Sequence, residues 1–157
     1  MKALVLYDSF FGNTEKIALS VAESLRANAE VQVIRVNEAD PSSVIGIDLL
    51  VLGSPTRGFR PSEGITAFLN KLTPGSLNGI NAAAFDTRVD TAVINSKMLR
   101  FMAKTFGYAD KVMVNELQKK GANLISIGQG FIVNGNEGPL KDGELERAAE
   151  WAKTLVG

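Results

Sequence analysis

Five short runs of aliphatic and β-branched residues punctuate the chain: Ala3 to Tyr7, Val31 to Val36, Leu49 to Gly53, Ala82 to Phe85, and Leu124 to Ile127 continuing through Phe131 to Val133. Runs of this length and composition predict β-strands. The near-unbroken apolarity of the first and third predicts a parallel sheet covered on both faces. Between the runs the apolar spacing becomes helical. From about Asn13 to Arg26, the residues Ile17, Ala18, Val21, Ala22 and Leu25 fall on one stripe. Ser62 is a natural N-cap for a second helix, which carries Ile65, Phe68, Leu69 and Leu72 until Thr73-Pro74-Gly75 stops it. The region from Asn95 to Lys120 predicts one or two helices with a break near Gly107 and with Met98, Phe101, Met102, Phe106, Val112 and Leu117 buried. A last helix, from about Asp142 to Leu155, turns Leu145, Ala148, Ala149, Ala152 and Leu155 inward. Strict alternation of strand and helix implies right-handed crossovers and a doubly wound α/β sheet with helices on both faces.

Length and composition narrow this picture. A chain of 157 residues without repeats or linkers fits one domain, residues 1–157, able to bury a core that needs neither disulfide nor metal. With 45% hydrophobic and 22% charged residues, and no run near the roughly 18 apolar residues of a membrane span, it reads as soluble with no membrane partner. Met1-Lys2 leads into an apolar run that Asp8 ends too early for a secretory signal, so the expected location is cytoplasmic. Zero Cys and zero His exclude thiolate nucleophiles, redox disulfides, His-ligated metals and Ser-His-Asp hydrolysis. No catalytic side chain and no metal site are expected. Lys plus Arg equals Asp plus Glu at 17 each, which gives no basic surface for nucleic acid.

Doubly wound sheets bind ligands beyond the carboxyl ends of their strands, at a topological switch point. The loops to examine therefore start at residues 8, 54, 86 and, with less weight, 128. After the first strand, Asp8-Ser9-Phe10-Phe11-Gly12-Asn13-Thr14 enters the first helix. A helix N-terminus attracts anions, Ser9, Asn13 and Thr14 add donors, and Gly12 permits a tight turn, so a phosphate fits there. The loop has no Lys or Arg, and both the Walker loop and the Gly-rich dinucleotide fingerprint are absent. A phosphorelay receiver would need an acidic cluster after strand 1 and an Asp ending strand 3. Here strand 3 ends in Gly53-Ser54.

Ser9-x-x-Gly12-x-Thr14 after a first strand resembles the FMN-phosphate loop of flavodoxins, with Phe11 where the family usually has a further Thr. The loop from Gly53 to Ser62 is similar to the one the family folds against the ribityl chain and isoalloxazine ring. Ser54 and Thr56 offer hydroxyls there, and Phe59 an aromatic face. Phe85-Asp86-Thr87-Arg88-Val89-Asp90 resembles the other flavin-flanking loop, with Val89 where many relatives place an aromatic. The tail from Phe131 to Trp151, with Glu137-Gly138-Pro139-Leu140 and Gly143-Glu144-Leu145-Glu146, also resembles the family's C-terminus, and no long insertion interrupts strand 5.

The resemblance implies a short-chain flavodoxin-like domain with five-stranded sheet order 2-1-3-4-5. It implies FMN contacts from Ser9, Phe10, Phe11, Gly12, Asn13 and Thr14, from Ser54, Pro55, Thr56, Arg57, Gly58 and Phe59, and from Asp86, Thr87 and Arg88. The function implied is electron transfer, cycling FMN between semiquinone and hydroquinone, with flavin or iron–sulfur reductases and acceptors as redox partners. The alternatives are an NAD(P)H-dependent FMN quinone reductase and a flavin-free interaction module of the same fold. Carrier flavodoxins are typically acidic, whereas this chain has zero formal net charge and places Arg57, Arg60 and Arg88 in the flavin-flanking loops. Arg88 is the first choice for a cation that favours the reduced, anionic flavin.

Overall fold

The computed structural model describes residues 1–90 and 96–156. Its strands are β1 (Lys2–Tyr7), β2 (Glu30–Arg35), β3 (Leu49–Pro55), β4 (Asn81–Val89), β5 (Asn123–Leu124) and β6 (Gln129–Val133). Every strand pair is parallel, in the order β2-β1-β3-β4-β5, with β6 also paired to β4. The fifth position of the sheet is thus one strand in two pieces. β5 runs beside the start of β4 at Asn81 and Ala82, and β6 runs beside Phe85 to Val89. Between them the chain leaves the sheet, with Gly128 at φ +103° and Ile127, expected within the strand, 95% exposed.

The helices are α1 (Asn13–Leu25), α2 (Glu63–Lys71), α3 (Lys97–Phe106), α4 (Ala109–Lys119) and α5 (Glu144–Thr154). Alternation fails at one crossover. β2 and β3 are joined not by an α-helix but by two 3-10 turns, Val36–Glu38 and Pro41–Val44, the second fixed by a capping box between Asp40 and Ser43. Pro41 and two serines favour this compact turn, while Val36 and Val44 still cover the sheet as a helix would.

Strand pleating divides the core into two. Leu4, Leu6, Leu50, Leu52, Ala82 and Ala84 face α2 and α4 on one side, where Ile65, Phe68, Leu69, Met113 and Leu117 meet them. Ala3, Val5, Tyr7, Val51, Ala83 and Phe85 face α1 and α5 on the other, against the predicted stripe Ile17, Ala18, Val21, Ala22 and Leu25. Burying each such Leu or Ile contributes about 1.5 to 3 kcal/mol, so this stripe anchors α1 and fixes where its N-terminus opens. Ser62 caps α2 as expected, accepting from the N–H of Ile65 at 3.2 Å, and Gly107 at φ +74° separates α3 from α4.

Three expected core positions are on the surface: Met98 is 69% exposed, Phe101 67% and Leu145 41%. Among the described side chains of α3 only Ala103 is buried, so this helix adds little to either core. The predicted helix start at Asn95 and the predicted burial of Phe106 lie outside the described residues. Trp151 takes the inward place not expected for it, edge-on to Phe85 and Phe131 at centroid distances of 6.0 Å each. Among the described residues no helix is long and apolar enough to cross a membrane.

Candidate cofactor site

The carboxyl ends of β1, β3, β4 and β6 open into one cavity of about 420 Å³. Its first wall is the loop from Asp8 to Gly12. Gly12 sits at φ +90°, a left-handed conformation that glycine adopts without a Cβ penalty, and it occupies the N-cap of α1. It has no side chain to offer, and no side chain caps α1, in contrast to Ser62 on α2 and Ser96 on α3. The first-turn N–H groups of α1 have no partner within the helix by construction, so they face the cavity as an anion-binding end. Ser9 Oγ accepts the N–H of Gly12 at 3.1 Å and keeps its own proton to donate.

Asn13 Nδ2 donates to the carbonyl of Glu137 at 3.0 Å, tying this wall to the loop after β6. Thr14 Oγ1 lies 2.8 Å from Thr87 Oγ1, tying it to β4. The second wall is the loop after β3. Its base is locked by Ser54, whose hydroxyl accepts the N–H of Ser62 and donates to the carbonyl of Pro55, both at 2.9 Å. The N–H of Thr56 donates to the carbonyl of Thr87 at 2.9 Å, and Thr56 Oγ1 accepts the N–H of Ala109 at 3.1 Å. Beyond it, Arg57 and Arg60 exchange two backbone hydrogen bonds around Gly58 (φ +55°) and Phe59 (φ +64°). Positive φ at both central residues is the mark of a type I′ turn. The Arg57 guanidinium lies 5.0 Å from the ring centre of Phe10 and 5.8 Å from that of Phe11, and both rings stay about half exposed at the cavity mouth.

The floor beside β4 holds a compact ion cluster. Arg88 donates to both carboxylate oxygens of Asp86 at 2.7 Å and lies 3.1 Å from Asp110. Its guanidinium is stacked 3.9 Å from the ring centre of Tyr108 and occupies the space a Cβ on Gly130 would fill, 2.3 Å away. Burial pushes the Asp86 carboxyl up to about 7, against the pull of the Arg88 hydrogen bonds. Arg88 is therefore not the free cation the sequence suggested, because two carboxylates already share its charge.

Of the residues expected to contact a cofactor, Ser9, Phe10, Phe11, Asn13, Thr14, Pro55, Thr56, Arg57, Gly58, Thr87 and Arg88 line this cavity. Gly12, Ser54, Phe59 and Asp86 do not. Gly12 is the turn behind the wall, Ser54 and Asp86 are fully buried in the hydrogen bonds just described, and Phe59 leans edge-on toward Tyr108 at 6.4 Å. Val89, Val133, Asn136 and Glu137 line it as well. Glu137 belongs to the tail that resembles the family's C-terminus, but only the Asn13 hydrogen bond reveals that this loop folds over the N-terminus of α1.

The chain is similar to known proteins along most of its length. A flavodoxin from Aquifex aeolicus is 29% identical over 175 aligned positions, covering 99% of this chain and 89% of that protein. An NAD(P)H dehydrogenase (quinone) from Paraburkholderia phymatum is 28% identical, covering 82% of this chain and 85% of that one. The crystal structure of oxidised Flavodoxin 2 from Bacillus cereus superposes with a TM-score of 0.77 at 25% identity, covering 99% of this chain and 97% of that one. The family model described as Flavodoxin matches residues 5–151, so the chain belongs to the flavodoxin family, whose cofactor is FMN.

Proposed function

We propose that this protein carries electrons between redox proteins by way of FMN bound in the cavity at the carboxyl ends of β1, β3 and β4. The observation that carries the reading is the uncapped N-terminus of α1 opening into that cavity. Neutral N–H groups with the hydroxyls of Ser9 and Thr14 suit one phosphate monoester. FMN supplies one-electron chemistry when bound, and the side chains supply binding and electrostatics. Ser9, Asn13 and Thr14 would hold the phosphate, Thr56 and Thr87 would face the ribityl chain, and Phe10, Phe11, Arg57, Gly58 and Arg88 would border the ring. The half-exposed rings of Phe10 and Phe11 shield one side of the mouth from water while leaving an edge open to a partner. The same reading takes residues 1–157 as one cytoplasmic unit whose donors and acceptors are flavin or iron–sulfur proteins.

A second reading, reduction of quinones by NAD(P)H, has its own support. A further cavity of about 570 Å³ adjoins the first through Phe10 and Arg57 and is also lined by Arg60, Pro61 and Glu63. That is room beside the cofactor for a second substrate. Stopped-flow mixing of the FMN-loaded protein with NADH and with NADPH separates the two. The carrier reading expects no bleaching of the flavin absorbance on the timescale of turnover, and rapid bleaching would favour the quinone reductase.

A further inference from the structure

The outward face of α3 contributes nothing to either core. Met98 is 69% exposed, Phe101 67% and Leu99 43%, the densest group of exposed apolar side chains in the described structure apart from Phe10 and Phe11. Apolar groups left in water at this density mark contact surfaces. At helical spacing, Met98 and Phe101 share one side of α3, and Lys97, Arg100 and Lys104 run beside them. α3 carries no carboxylate, and none of its three cations enters an ion pair among the described residues.

The C-terminal end of this helix is tied to the cofactor cavity, which Arg88 and Val89 line. Just beyond that end Tyr108 stacks on Arg88, and the N–H of Ala109 donates to Thr56, which also lines the cavity. Asp86 and Asp110, the carboxylates on the cavity floor, are paired with Arg88.

We propose that the outward face of α3 docks a partner protein that presents carboxylates around a small apolar patch, bringing its redox centre beside the cavity mouth. The inference rests on the carrier reading and adds the polarity of the partner. Charge selects among occupants. A second copy related by a two-fold axis would set three cations against three cations. An anionic membrane would meet a helix only about 15 Å long with few apolar side chains, which anchors weakly. An acidic protein satisfies both the cations and the apolar strip, and so small a patch suits a transient interface of less than roughly 1,200 Å².

The test uses FMN-loaded protein, reduced with dithionite, mixed in stopped flow with the acidic soluble domain of cytochrome b5 and separately with the basic mitochondrial cytochrome c. In each reaction one electron leaves reduced FMN and converts ferric to ferrous haem. The variants are Lys97→Glu with Lys104→Glu, and Met98→Ser with Phe101→Ser, all at exposed positions. Reduction of cytochrome b5 should slow with added salt, and by about tenfold in each variant at low salt. Reduction of cytochrome c should not slow, and reduction of benzoquinone should be unchanged. Equal cytochrome b5 rates in parent and variants would overturn the docking surface and leave the carrier reading intact. Reduction of neither cytochrome by FMN-bound protein would overturn the carrier reading and the docking surface with it. Sedimentation with phosphatidylglycerol vesicles, or dimerisation in analytical ultracentrifugation, lost in the variants would overturn the acidic partner in favour of a membrane or a second copy.

Discussion

Thr14, in the first turn of α1, and Thr87, near the end of β4, are both buried and share one hydrogen bond of 2.8 Å between their hydroxyls. The pair joins two loops that converge on the cavity, and a hydroxyl that receives its neighbour's proton is free to pass its own to an anion. Thr14 is on the anion-binding helix end. Thr14→Ala is expected to remove a hydrogen bond to a charged group, about 1.5 to 3 kcal/mol, or a roughly ten- to hundredfold weaker Kd for FMN. Thr87→Ala removes a neutral partner and should cost about 0.5 to 1.5 kcal/mol. Isothermal titration with FMN checks both, and equal losses would contradict a direct phosphate role for Thr14.

Gly130 should resist any side chain. A Cβ there would lie 2.3 Å from the Arg88 guanidinium, which Asp86, Asp110 and Tyr108 hold from the other sides. Gly130→Ala should therefore dislodge Arg88 and strand the fully buried Asp86, at a cost of about 3 kcal/mol. For a chain of this size that is a fall in Tm of roughly 6 to 12 °C. A change under about 2 °C would show that the guanidinium relocates freely.

The same cluster gives a pH dependence. Burial raises the Asp86 carboxyl from 3.8 to about 7, so between those values the folded state binds a proton that the unfolded state releases. Its stabilising contribution is complete below about 3.8 and is lost as pH rises through about 7. Glu15, held down by hydrogen bonds from Tyr7 and Arg35, and Asp40, held down by Ser42, act only below their ordinary values of 4.5 and 3.8. Urea unfolding of the FMN-free protein should thus show stability declining from about pH 4 to 7. Asp86→Asn should flatten that slope, and Arg88→Gln, which removes the opposing pull, should extend it to higher pH.

How much of this was legible in advance depends on how local each signal is. The stripe of α1, the Ser62 cap and the Gly107 break are encoded within a few residues, and all three hold. The exposure of α3 is not legible in the sequence because Met98 and Phe101 have the spacing of buried residues, and spacing does not say whether a neighbour exists to cover them. Trp151 was missed because its place depends on Phe85 and Phe131, which come from two different strands. The loops of the site were legible as loops. That Ser54 and Asp86 turn away from the cavity was not, because it follows from pairings with Ser62 and Arg88 made only after the sheet forms.

The Arg57 to Arg60 turn predicts unequal effects at adjacent positions. Gly58 has φ +55° and nothing within 4 Å of an added Cβ, so Gly58→Ala should cost only the left-handed backbone penalty, about 1 to 2 kcal/mol. Phe59 already bears that penalty at φ +64°. Phe59→Gly relieves it while losing the edge contact with Tyr108, about 0.5 to 1.5 kcal/mol, and should be nearly neutral. Urea midpoints decide the matter. A large loss from Phe59→Gly would mean that the ring supports the turn far more than its single aromatic contact implies.

The central claim is that the uncapped N-terminus of α1 holds the phosphate of FMN. Quenching of flavin fluorescence on titration with FMN and, in parallel, with riboflavin tests it most directly, since the two ligands differ only in that phosphate. FMN should bind at least about a hundredfold more tightly, the equivalent of roughly 2.7 kcal/mol. Riboflavin binding as tightly as FMN, or no quenching by either, would contradict it.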